Sequence, residues 1–207
     1  MPMPDISTTF GGLLLKSPII AGSSAINNNL QNIIELEKQG AGAVVLKSLF
    51  EEIIGKHHSI INHSTTNNTD FENLDYLDYR IKDQTLDDYT NLIKKAKTAS
   101  KMPVIASINC INPGEWVHFA KLIEDAGADA LELNLFVAAS SGETEKEIED
   151  KHLQIVNEAL KNTNLPIIAK ISHYFSDLSG IIRRLSVSGI SGLVLFNRFY
   201  MPDIDVE

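Results

Sequence analysis

The sequence predicts an α/β fold around a parallel sheet, either an open doubly wound sheet or a (β/α)8 barrel. Three observations predict it. Short apolar runs rich in β-branched residues alternate with helical patterns, as expected of βα units whose strands are buried on both faces. Three segments repeat one design: QGAGAVVLKS (Gln39 to Ser48), DAGADALELN (Asp125 to Asn134) and SVSGISGLVLFN (Ser186 to Asn197) each close a helix on Gly and enter an apolar run. Polar residues stand at the carboxyl ends of these runs, where parallel α/β folds bind their ligands.

The first strand lies in SPIIAGSS (Ser17 to Ser24), and a helix follows through Leu30, Ile33, Ile34 and Leu36. VVL then gives the second strand. From Phe50 to Thr85 the chain is polar and Asn/Asp-rich, a long loop of the kind that is usually functional or disordered. Its His57, His58 and His63 lack a carboxylate or Cys at a recognised ligand spacing, so no metal site is assigned. Leu86 to Ser100 is helical, with Tyr89, Leu92, Ile93 and Ala96 on one face. PVIASINC (Pro103 to Cys110) is the third strand. Asn112 as N-cap, Pro113 and Glu115 start a helix that ends at Gly127. LELN is the fourth strand, a Thr144/Glu147 capping box opens the next helix, PIIAKIS (Pro166 to Ser172) is the fifth strand, and Leu178 to Leu185 leads into the sixth.

Six strands fall short of a closed barrel, which takes eight in about 250 residues. No G-x-G-x-x-G follows the first strand, which weakens a dinucleotide-binding sheet. The expectation is one domain over residues 1–207, either open or incomplete at its C-terminus.

Composition narrows the partners. A formal charge of −9 excludes nonspecific binding to nucleic acid or anionic membranes, which requires basic patches. The chain lacks an apolar run of about 18 residues, and its Met-Pro-Met-Pro-Asp start lacks signal-peptide regions, so a cytoplasmic protein is expected. The single cysteine, Cys110, reads as a structural thiol.

The strand-end set is Lys47, Asn109, Asn134, Lys170 and Asn197. In the fourth strand, alternation puts Glu132 and Asn134 on one side and Leu131 and Leu133 on the other. An interior carboxylate must be paired, and Lys47 and Lys170 are the available cations, so Glu132 is expected to orient a lysine. Two lysines and three asparagines suit an electron-rich ligand with several hydrogen-bonding edges. A flavin, a sugar phosphate and a Schiff-base substrate all fit that description.

In order, TTFGGLLLKSPIIAGSS, VVLKS, LELNL, PIIAKIS and LVLFNR resemble the dihydroorotate dehydrogenases, flavin mononucleotide (FMN) enzymes of pyrimidine biosynthesis that oxidise dihydroorotate to orotate. The resemblance spans nearly the whole chain. It implies a (β/α)8 TIM barrel with about six of eight βα units present, a hairpin over Thr8 to Lys16 covering the barrel bottom, and Ile19 to Ala21 as the first barrel strand. Ala21 and Gly22 would lie against the flavin ring and Lys47 and Ser48 at its polar edge. Asn109, Asn134, Lys170 and Asn197 would line the flavin and substrate pocket. The long polar loop would help cover a small-molecule substrate. The soluble, cytosolic class and a homodimer are implied with it.

Soluble-class members read N-L-S-C-P-N where this chain reads Asn134-Leu-Phe-Val-Ala-Ala. Val137 therefore stands where the resemblance places a proton-accepting Cys, and Ala139 stands where it places a substrate-binding Asn. Ser140, Ser141 and Glu143 are nearby groups able to take a proton, with Ser140 the replacement base and Lys47 the other catalytic candidate. The family holds its cofactor phosphate on loops after the last two barrel strands, which these six units do not include. A noncatalytic flavin-binding barrel or partner subunit, and a Schiff-base enzyme using Lys170 or a sugar-phosphate enzyme, stay open as alternatives.

Overall fold

The computed structural model describes residues 4–49, 86–110, 116–137 and 143–197. A short antiparallel hairpin, β1 (Thr8–Phe10) and β2 (Leu13–Leu15), precedes six parallel strands. These are β3 (Ile20–Ala21), β4 (Ala43–Val45), β5 (Val104–Cys110), β6 (Ala130–Leu135), β7 (Ile167–Ile171) and β8 (Gly192–Leu195), paired in sequence order. The helices between them are α1 (Leu30–Lys38), α2 (residues 86–99), α3 (Trp116–Asp125), α4 (Glu145–Asn162) and α5 (Leu178–Ser186). The result is a six-stranded parallel half-barrel.

The glycine-closed repeats act as helix stops. Gly40, Gly127 and Gly189 have φ of 97°, 90° and 103° just beyond α1, α3 and α5, a left-handed conformation that glycine adopts without steric cost. The Thr144 capping box is present at α4, and its partner Glu147 is held below the usual carboxylate range by the Thr144 backbone and hydroxyl. The Asn112, Pro113 and Glu115 cap and the three histidines of the long polar run lie outside the described residues.

Alternation along the strands sorts the core into two layers. Val44, Leu46, Val104, Ala106, Ile108, Leu131, Leu133, Ile167 and Ala169 face the helices, where they pack with Ile33, Ile93, Ile123, Ile155 and Ile181. The other face carries a smaller apolar cluster of Ala43, Val45, Ile105, Ala130 and Ile168. The hairpin closes this inner cluster from the amino-terminal side of the strands. Leu15 is buried in it, with Phe10 and Leu13 packed alongside. A two-residue Gly11–Gly12 turn with both φ positive makes that hairpin tight enough to fit.

The first inner-facing layer is therefore apolar. The next residues on the same face, two positions along each strand, are Ser107, Glu132 and Lys170.

Candidate functional site

Strand register builds the site. Ser107 pairs with Glu132 across β5 and β6, and two residues further on Asn109, Asn134 and Lys170 align across β5, β6 and β7. Neighbouring parallel strands lie about 4.8 Å apart, so aligned side chains on one face meet. Asn109, Asn134 and Lys170 each stand at the last position but one of their strands. Lys47 and Asn197 each lie two residues past their strands.

The lower polar layer is buried. Lys170 Nζ donates to Glu132 Oε1 at 2.6 Å, with Lys170 9% and Glu132 3% exposed. The carboxylate inside the apolar run is thereby explained as the buried partner of Lys170. Ser107 Oγ donates to the same Glu132 oxygen at 2.9 Å, Ser48 Oγ lies 2.8 Å from Ser107 Oγ, and Ser23 Oγ lies 3.2 Å from Ser48 Oγ.

The upper layer is an amide ladder. Asn134 Nδ2 donates to Asn109 Oδ1 at 2.5 Å, and Asn197 Nδ2 donates to Asn134 Oδ1 at 2.9 Å. Asn197 is itself anchored by its backbone N–H to the Ile171 carbonyl. Among the described residues two bonds join the three amides, and each amide has further donors or acceptors of its own.

Two further residues hold this framework and carry no obvious sequence signal. The register of β4 against β5 ends at Val45–Ile105 and resumes at the Leu49–Ile108 bridge. Tyr89 of α2 fills the gap: its hydroxyl accepts from the Ser107 N–H at 2.8 Å and donates to the Ser107 carbonyl at 3.2 Å. Burial pushes its phenol up from the ordinary value, so it stays protonated and able to do both. Asn27, 2% exposed, donates to the carbonyls of Ala21, Gly22 and Val45 and fixes the turn after β3. Ser107 could have been found by extending the two-residue period back from Asn109; Tyr89 and Asn27 could not.

The remaining predicted residues fall as follows. Ala21 is half-buried and Gly22 exposed at the end of β3, Ser48 is buried, and Lys47 is half-buried. Val137 packs against the helix-side apolar cluster. Glu143 forms an ion pair with Lys151. Ser140, Ser141 and Ala139 lie outside the described residues. Among the described residues no group of three His, Cys, Asp or Glu side chains is placed to hold a metal ion, and no helix is long and apolar enough to cross a membrane.

The donor set fits a flavin: an amide ladder can match the alternating donors and acceptors of its ring edge, and an ammonium can face the charge it gains on reduction. Comparison with known proteins bears on the same point. The chain is 28% identical to the catalytic subunit of dihydroorotate dehydrogenase B (NAD(+)) of Thermoplasma acidophilum, over 99% of this chain and 66% of the relative. It is 29% identical to the same subunit of Thermoplasma volcanium, over 99% and 65%. The chain is thus similar over nearly its whole length to catalytic subunits of dihydroorotate dehydrogenases. It spans about two thirds of the length of these relatives. The PreA subunit of the NAD-dependent dihydropyrimidine dehydrogenase of Escherichia coli K12 is 24% identical, over 93% of this chain and 48% of the relative. No family model matches.

Solved structures add the fold alone. An IMP dehydrogenase/GMP reductase-like protein from Corynebacterium glutamicum matches with TM-score 0.51 and 16% identity, over 91% of this chain and 47% of that one. Dihydrodipicolinate synthase from Agrobacterium tumefaciens matches with TM-score 0.51 and 17% identity, over 84% and 52%.

Proposed function

We propose that the chain forms the flavin-binding half-barrel of a cytoplasmic, FMN-dependent oxidoreductase of the dihydroorotate dehydrogenase type, acting on the CH–CH bond of a small dihydropyrimidine. The observation that carries this reading is the two-layer polar surface, Lys170–Glu132 below and Asn109–Asn134–Asn197 above, at the carboxyl ends of strands in a chain similar to those enzymes. The backbone at Ala21 and Gly22 would lie against the ring, and Lys47 and Ser48 would meet its polar edge. The amide ladder and Lys170 would hold the ring and the substrate beside it. When bound, FMN supplies the hydride acceptor. Lys170, aimed by Glu132, then faces the negative charge that accumulates on the acceptor, and a fixed ammonium in a buried site stabilises such charge far better than water does. The relatives' names indicate the substrate class, dihydroorotate or another dihydropyrimidine.

A second reading is favoured by Val137. At the position where the resemblance places the proton-accepting Cys, this side chain packs into an apolar cluster and cannot take a proton. A positioned base is worth about 10²–10⁴ in rate, so without Ser140 or another group in its place the barrel would bind flavin and turn over almost no dihydroorotate. The Schiff-base alternative has less support, because Lys170 is engaged as a donor to Glu132 rather than presented as a nucleophile.

The test is an anaerobic absorbance titration of the full chain, loaded with FMN, against dihydroorotate and then a dihydropyrimidine. Bleaching of the flavin bands supports the oxidoreductase. A yellow protein that stays oxidised with both supports the noncatalytic barrel, and failure to retain FMN overturns the flavin reading.

A further inference from the structure

The hydroxyl chain that ends on Glu132 has a direction, and the direction follows from proton counting. Ser107 has one hydroxyl proton, and it is donated to Glu132 Oε1 at 2.9 Å. The 2.8 Å contact between Ser48 and Ser107 must then be donated by Ser48, which leaves Ser23 as donor in the 3.2 Å contact with Ser48. The Ser48 backbone N–H donates back to Ser23 Oγ at 3.1 Å and keeps that hydroxyl in place. Every hydroxyl proton along Ser23, Ser48 and Ser107 thus points inward to the carboxylate, which on the same oxygen, Oε1, receives Lys170 at 2.6 Å. The inner end is sealed, with Ser107 0% and Glu132 3% exposed, while Ser23 is half-buried at the loop after β3. A static clamp for one lysine would need only Glu132. A line of three hydroxyls that runs from the loops after β3 and β4 through β5 to the carboxylate on β6, oriented one way, does more.

We propose that Ser23, Ser48, Ser107 and Glu132 are a proton relay that restores the Lys170 ammonium from solvent. When Lys170 gives a proton from Nζ to a bound group that has gained an electron pair, Glu132, a carboxylate at rest, relays to the Nζ lone pair a proton that it takes from Ser107. Ser107 gives its proton to Glu132, Ser48 to Ser107 and Ser23 to Ser48, and a water or buffer acid recharges Ser23. One proton enters at Ser23 for each proton that leaves Lys170, and no oxidant or reductant is consumed. Lys170 is the residue that meets the ligand; Glu132 and the serines act through it as positioning residues. That the acceptor is a reduced flavin rests on the function proposed above; the relay itself does not.

The measurement is solvent hydrogen exchange of the Lys170 ammonium, followed by NMR on the full chain labelled with [15N]lysine. S107A should slow that exchange about tenfold or more by removing the middle link, and S107T, which keeps the hydroxyl, should restore it. S48A should slow it to the same degree and decides the matter if S107A does not fold. Exchange that is unchanged or faster in the alanine variants would make the chain a clamp and overturn the relay, and so would S107T as slow as S107A. With FMN bound, S107A should also enlarge the solvent isotope effect on flavin reduction relative to S107T. Failure of the full chain to hold FMN would sink the flavin reading while the exchange measurement still decides the relay.

Discussion

At the scale of single residues, the Lys170–Glu132 pair sets the energetics of the site. Both side chains are nearly buried, so each charge has lost most of its water and relies on the other. Removing one partner leaves an uncompensated charge beside Ser107 and the amide ladder. Glu132→Leu is expected to lower stability by about 3–5 kcal/mol, read as a shift in urea midpoint. Combining it with Lys170→Met should recover most of that loss, because a buried ion pair replaced by apolar groups of similar volume is often neutral. A double variant no more stable than Glu132→Leu would show that the pair is not coupled in the way its 2.6 Å geometry requires. The same residues show what the sequence could reveal at this scale. Period-two alternation places Glu132 and Asn134 on one face, and the cost of burying a carboxylate demands a cation. Which lysine answers depends on register, and register between strands 36 residues apart is not written locally: Asn134 aligns with Lys170 because the two strands pair as they do.

At the scale of elements, α4 carries a built-in sensitivity to acid. His152 is 3% exposed, its Nδ1 lies 2.7 Å from the Ile148 carbonyl, and its ring meets Phe175 edge-on at 5.1 Å. Desolvation holds its pKa below the ordinary 6.5, against the weaker opposite pull of the Ile148 carbonyl and Glu149. The folded state keeps the ring neutral where the unfolded chain takes up a proton. Stability from this residue is therefore fully present above about pH 6.5 and is lost as the pH falls toward and through the lower folded value. Urea midpoints measured between pH 7.5 and 5 should fall more steeply for the wild type than for His152→Leu; parallel slopes would rule this residue out as the source. The capping box that starts α4 was legible because it is a four-residue pattern with its own chemistry. Tyr89 was not, since its hydroxyl serves a gap in the β4–β5 ladder that exists only in three dimensions.

At the scale of the whole molecule, the order of βα units was legible because each strand announces itself by a Gly or Pro entry and an apolar run. The placement of a hairpin under the strands came from the resemblance, and its physical reason is visible only in the packing of Phe10, Leu13 and Leu15 against Ile168 and its neighbours. What alternation and spacing cannot state is what faces the two outer strands. Among the described residues, β3 and β8 each pair on one side, and both margins carry exposed apolar side chains, with Ile19 66% and Leu195 49% exposed. An unpaired edge with apolar neighbours is a template for pairing with another chain, and here both edges lie in one concave sheet whose inner face is also apolar near the hairpin. The 207-residue chain purified by itself is therefore expected to self-associate as its concentration rises, seen as a concentration-dependent sedimentation coefficient. Charges at the margins should oppose that association, since an edge lysine costs little in the monomer and much in a strand pair. Ile19→Lys combined with Leu195→Lys should shift the weight-average mass toward the monomer without changing the circular dichroism of the fold. A wild-type chain that stays monomeric across the concentration range would mean that these edges are covered within the chain itself.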